Sequence, residues 1–231
     1  MIRRVAFLLA IATLNLSAQT TKEVPITSEP HHHLVLKNKY VRVFKVEVPS
    51  QQATLMHRHQ YDYAYVTIGP TELVNQVEGK PASDLKLQDG ETRFSPGPFA
   101  HLIRVLAPGP FRNVTIEFLQ GKRTAQSSSA KWAGDRGLQI LTGGVEDILF
   151  VKDDVRASDV QLNPHGVLPN SQAGAAELLV AVTDAELHAG SGHNHKGQIH
   201  LSAGDVRWLQ PAEKLINAGT QPARFISFEF H

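Results

Sequence analysis

Slid along itself by 114 positions, this 231-residue chain meets its own pattern again. Residues 40–73, YVRVFKVEVPSQQATLMHRHQYDYAYVTIGPTEL, fall without a gap on residues 154–187, DVRASDVQLNPHGVLPNSQAGAAELLVAVTDAEL. Val41 lands on Val155, Arg42 on Arg156, Val66 on Val180, Glu72 on Glu186 and Leu73 on Leu187. The same offset carries LKLQDGETRF (85–94) onto IHLSAGDVRW (199–208), pairing Gly90 with Gly204 and Arg93 with Arg207. With two residues deleted, PFRNVTIEF (110–118) meets PARFISFEF (222–230). Three blocks in one order indicate a tandem duplication, so whatever one half folds into, the chain contains twice.

Each half is strand-like. VRVFKVEV, YAYVTI, NVTIEF and RFISFEF are rich in β-branched and aromatic residues, and IGPT, QDGE, SPGP and APGP punctuate them as turns. Many short strands with regular turns predict an all-β sandwich or barrel. Between the halves, LQGKRTAQSSSAKWAGDRG (119–137) loses apolar periodicity and reads as a linker. The first residues, MIRRVAFLLAIATLNLSAQT, carry Arg3 and Arg4, an apolar run and then Ser17 and Ala18. That order predicts a secretory signal peptide over residues 1–18 and a secreted or periplasmic protein with no membrane association after cleavage. Charge is balanced, with 23 basic and 22 acidic side chains, which gives no footprint for nucleic acid or anionic lipid. The absence of cysteine excludes disulfides, thiolate metal sites and a cysteine nucleophile.

In LMHRHQYDYAYVTIGP (55–70), His57 and His59 alternate across Arg58, so on a strand both imidazoles share one face. Spacing alone is a weak signal, open to a metal pair but more often met on an ordinary polar strand face. Together with GETRFSPGPFAH (90–101), however, the stretch resembles the two motifs of the cupins, G-x5-H-x-H-x3,4-E-x6-G and G-x5-P-x-G-x2-H-x3-N. His57, His59 and Gly69 fit the first motif, and Gly90, Pro96 and His101 the second. Gln51, Pro98 and Val105 depart from it. The resemblance implies tandem jelly-roll barrels (a bicupin): barrel one over 32–118, a linker over 119–140 and barrel two over 145–231. Counting forward from His59 puts the family's acidic ligand at Tyr63 or Ala64, and counting back from Gly69 puts it at Asp62. Strand parity groups Asp62 with Ala64, Val66 and Ile68, the apolar and therefore inward set, and turns Tyr61, Tyr63, Tyr65 and Thr67 away. The expected metal ligands are therefore His57, His59, Asp62 and His101.

The second half serves as an internal control. Under the 114 offset His57, His59, Asp62 and His101 map to Ser171, Ala173, Ala176 and Leu215, while the surrounding scaffold residues stay. A metal site abandoned as a set leaves this trace, because a partial shell is useless. Arg42, Glu72, Arg93, Arg112 and Glu117 keep counterparts in Arg156, Glu186, Arg207, Arg224 and Glu229, so they read as scaffold. Tyr61, Tyr63 and Tyr65 read as an outer stripe packing on a neighbouring sheet or subunit; Arg104 and Asn113 stay open. The run His31–His33 reads as a solvated arm, and His188, His193, His195 and His200 as surface.

Three imidazoles and a carboxylate suit one divalent transition metal such as Fe, Mn, Zn, Ni or Cu, whereas Mg and Ca take more oxygens. The resemblance implies an exported metal-dependent enzyme acting on a small organic molecule, with dioxygenase or oxidoreductase chemistry as in quercetinase-like and germin-like cupins. Fold does not choose the reaction. A non-catalytic binder of metal or small molecule is the alternative, a ligand inside barrel two is a third reading, and pairing into a homodimer is open. Metal binding is expected to weaken as pH falls toward an imidazole pKa of about 6.5.

Overall fold

The computed structural model describes residues 22–119, 137–168, 175–191, 194–209 and 213–230. The expected signal peptide, most of the linker, Ser171, Ala173 and His193 lie outside the described residues. Among the described residues no α-helix occurs, in keeping with the all-β reading. The first half forms β1 (Val24–Pro25), β2 (His32–Lys37), β3 (Val41–Val48), β4 (His57–His59), β5 (Tyr63–Ile68), β6 (Thr71–Val77), β7 (Ser83–Leu87), β8 (Thr92–Ser95), β9 (Phe99–Val105) and β10 (Phe111–Phe118). They make two five-stranded sheets, ordered β1-β4-β9-β6-β7 and β2-β3-β10-β5-β8. The second half forms β11 (Leu138–Leu141), β12 (Gly144–Lys152), β13 (Val155–Leu162), β14 (Val167–Leu168), β15 (Ala176–Ala181), β16 (Ala185–Ser191), β17 (Asn194–Leu201), β18 (Val206–Leu209), β19 (Lys214–Asn217) and β20 (Ala223–Phe230). These make sheets ordered β11-β12-β13-β20-β15-β18 and β14-β19-β16-β17.

The duplication is visible down to single hydrogen bonds. Gly90 and Gly204 both adopt positive φ, at 73° and 88°, a conformation glycine enters without steric cost. Gly90 N–H donates to Thr67 O and Gly204 N–H to Ala181 O, each at 2.8 Å. A bulge between Leu34 and Leu36 on β2 recurs between Ile148 and Phe150 on β12, again 114 residues on. Conserved ion pairs follow the same rule: Arg42 with Glu117 and Arg156 with Glu229.

The sheets β2-β3-β10-β5-β8 and β11-β12-β13-β20-β15-β18 pack back to back. Val41, Val43, Ala64, Val66, Ile68, Ile116 and Phe118 of the first half share one core with Leu178, Val180, Ile226, Phe228 and Phe230 of the second. This reverses the expected polarity of β5. Its apolar face looks outward from its own barrel, onto the partner barrel, and Tyr63 and Tyr65 look into the interior. The interior of barrel two is filled by Leu162, Leu179, Leu187, Leu201, Leu209, Leu215 and Phe225. That packing disfavours the reading that a ligand sits there.

Residues before β2 also contribute, although the repeat begins later. β1 pairs parallel with β4, setting Val24 opposite His57. A 3-10 turn at Ile26–Ser28 then plants Ile26, 1% exposed, in the barrel-one core. Arg58 ties this segment down through Glu23 (2.5 and 2.7 Å) and reaches Glu78 at 3.0 Å.

Candidate metal centre

Three of the four expected ligands converge. His57 and His59 project from β4 on one face, and antiparallel pairing of β4 with β9 sets His101 directly opposite His57. One nitrogen from each lies within 4.8 Å of the others. The far side of each ring is held. His57 Nδ1 is 2.9 Å from the Leu55 carbonyl, and His101 Nδ1 is 2.9 Å from Asn75 Oδ1. Both acceptors require a proton on Nδ1, so the lone pair of each ring sits on Nε2. His59 Nδ1 stands 3.4 Å from Glu117 Oε1, a long approach at which neither atom has another hydrogen-bond partner. Tyr63 lies flat on the His59 ring, with centroids 4.0 Å apart and planes at 9°.

The donor set fits a metal by two further observations. His57 Nε2 is buried with no hydrogen-bond partner, a costly state for a polar atom unless something occupies the space before it. His59 Nε2 and His101 Nε2 face each other at 3.3 Å. Two bare lone pairs repel at that spacing, yet it is about the separation of neighbouring nitrogens around an ion bonded at roughly 2.0–2.1 Å. Burial drives the imidazoles toward neutrality: His57 is pushed down to about 3, His59 below its ordinary value and His101 well below it, with desolvation the largest cause in each. The rings are ready to ligate at neutral pH without first losing a proton.

Asp62 is not brought to this group. It precedes β5, its Oδ1 accepts the Gly97 N–H at 2.8 Å, and it lines a separate cavity of about 260 Å³ against the second barrel. Its side chain fastens the turn after β8. Tyr63, reached by counting forward from His59, takes the inward position instead, and burial raises its phenol well above the ordinary value. The mapping of His101 onto Leu215 also needs correction. β9 pairs Ile103 with Asn75, and β19 pairs Leu215 with Ala189, so the two-residue deletion falls before these strands and His101 corresponds to Glu213. Glu213 is bound to Arg207.

Several neighbours escaped the sequence reading. Glu117, fully buried, does pair with Arg42 as scaffold (2.9 and 2.5 Å), but its second oxygen faces His59. Asn75 shares its face with Leu73 and Val77, and that alternation was the signal available for it. His32 is no solvated arm: its ring centroid is 4.6 Å from that of His57, and Nδ1 binds buried Glu29 at 2.5 Å. No local pattern announced this, because a strand crossing positions it. His195 falls within β17, opposite Gly190. His200 pairs with Glu186 on the surface. Glu72 meets Lys86 there too, both side chains exposed.

The three histidines open on a cavity of about 680 Å³ that also bears Tyr65, Asn113, Thr115, Arg93, Lys80 and Phe99. Its deeper walls are Leu73, Leu85, Leu87, Ile103 and Phe111.

The fold is that of a two-barrel cupin. AerE from Microcystis aeruginosa superposes with a TM-score of 0.58 at 11% identity, over 88% of this chain and 98% of that one. Oxalate decarboxylase from Bacillus subtilis, described with Mn(II) centres, gives 0.57 at 12% over 89% and 76%. Procruciferin, an 11S globulin from Brassica napus, gives 0.61 at 10% over 84% and 77%. No sequence-family model and no curated protein sequence matches the chain.

Proposed function

We propose that the chain is an exported cupin whose first barrel holds one divalent transition metal on His57, His59 and His101 and acts there on a small organic molecule. The observation that carries this is the convergence of three imidazoles, of which His57 and His101 are each held by a hydrogen bond at Nδ1 that leaves Nε2 to ligate. When bound, such an ion supplies Lewis-acid chemistry and, if redox-active, electron transfer, the basis for an oxidoreductase or dioxygenase reaction. The chain's own residues do the rest. Leu55 and Asn75 hold protons on the outer nitrogens, Glu117 steers the His59 ring, and Tyr63 braces that ring from its face. The apolar walls exclude water and grip the substrate body. Export is supported by the Arg-Arg, apolar, Ser-Ala order of residues 1–18.

The test is metal content by mass spectrometry on untagged protein from the native host, followed by oxygen uptake with small acids and phenols. About one metal per chain is expected, falling to a small fraction in His57→Ala and His101→Ala. Two metals per chain, or full content in both variants, sinks the assignment. Absence of turnover with metal retained would favour the binding-protein alternative.

A further inference from the structure

We propose that the barrel-one cavity takes an organic carboxylate with an apolar body of aromatic size. This rests on the metal reading and names the substrate class of the same site. Among the described residues no Asp or Glu lines the cavity, whereas Arg93 from β8 and Lys80 from the turn after β6 both do. Lys80 forms no ion pair among the described residues. Arg93 gives Nε and Nη2 to Glu91, which is not part of the wall, and keeps Nη1. Glu117, behind His59, is already matched by Arg42. Three neutral imidazoles bring no charge to offset a divalent ion, and the motif position beside them is a phenol. With Arg93 matched by Glu91, Glu117 by Arg42, and the buried Glu29 carboxylate on His32 set against the exposed ammonium of Lys80, the charge left over is that of the divalent ion. An anion inside the cavity, within reach of Arg93 Nη1 and Lys80, relieves it.

Barrel two shows that the fold itself does not forbid acids there. Glu177 stands where barrel one has Tyr63, opposite Glu229 as Tyr63 is opposite Glu117, and Glu213 stands where it has His101. The acid-free lining belongs to the histidine-bearing barrel. The remaining contacts fit a carboxylate on an apolar body. Asn113 Oδ1 accepts from Thr115 Oγ1 at 2.8 Å, which leaves its amide nitrogen to donate toward a ligand. Leu85, Leu87, Ile103 and Phe111 make the far wall of a space far larger than a two-carbon acid requires.

The probes are benzoate, 3-phenylpropanoate and indole-3-acetate, each against its own amide, titrated calorimetrically into zinc-loaded full-length protein; zinc permits no redox turnover. At least one acid is expected to bind tenfold or more tighter than its amide. Lys80→Gln combined with Arg93→Gln should cut that ratio to threefold or less while leaving amide affinity within twofold. Zinc content is measured on the same samples. Equal affinities of acid and amide, or binding of none of the six in zinc-loaded protein, overturns the carboxylate proposal and leaves the metal site standing. Protein that holds no zinc yet prefers acids through Lys80 and Arg93 overturns the metal reading and leaves this one standing.

Discussion

Glu117 answers to two groups at once, Arg42 through one oxygen and His59 through the other. Glu117→Gln keeps the shape and removes the charge, stranding the mostly buried Arg42 guanidinium. A loss of about 3 kcal/mol in urea unfolding is expected, with metal affinity about tenfold to a hundredfold weaker in chelator competition. Unchanged metal affinity would show that Glu117 serves Arg42 alone. The imidazoles carry a second expectation. In the unfolded chain each takes up a proton near 6.5, but in the fold burial holds all three lower, His57 at about 3. Between those values the unfolded state binds more protons, so stability falls as pH falls. Metal-free protein should lose up to about 1.4 kcal/mol per pH unit for each imidazole kept neutral, measured by urea titration at pH 7 and pH 5. His57→Gln should flatten the slope. The same shift moves the acid loss of metal below the value of about 6.5 that free imidazole suggests.

Among the elements, β5 and the turn after β8 hold the clearest lesson. Asp62 Oδ1 receives the Gly97 N–H, and Gly97 runs so close to the Tyr61 carbonyl that a Cβ there would lie 2.4 Å from that oxygen. Asp62→Ala should therefore leave metal content unchanged and cost about 1 kcal/mol of stability, read by metal analysis and thermal unfolding. Loss of metal in this variant would return Asp62 to the ligand set. The repeat, the strand content, the turn glycines and the three histidines were all legible in sequence, since each rests on local spacing. The acid position was not. Alternation along YDYAYVTI separates two faces but does not say which one looks into the barrel. Inward and apolar coincide only when the outer face is wet, and here the outer face is covered by another sheet. His32 and Glu29 were illegible for a related reason: only the crossing of β2 over the site brings them near His57. The Glu213 correspondence was hidden by the place of a two-residue gap, which register fixes and composition does not.

At the scale of the molecule, the halves are joined by a buried core rather than by a mere tether. Residues 22–119 expressed alone would expose Val41, Val43, Val66, Ile116 and Phe118, and should aggregate where the full chain stays soluble, as light scattering can show. The second barrel carries an opposite pH signature. Glu177 hydrogen-bonds Ser227 at 2.6 Å beside Glu229, Glu146 and Arg156, and burial lifts it to about 8. Between its ordinary 4.5 and that value the folded state holds the extra proton, so this group's contribution is lost as pH rises. Glu177→Gln should unfold at higher temperature than wild type at pH 8 and show no such gain at pH 5. The brace before β2 bears on how this protein can be handled. Glu23, Val24 and Ile26 lie upstream of the recognisable repeat, yet they bind Arg58, pair with His57 and fill the core. A gene fusion trimmed to the repeat at residue 32 would cut away the ribbon that lies against the histidine strand. Any tag, reporter or cleavage site belongs ahead of Lys22.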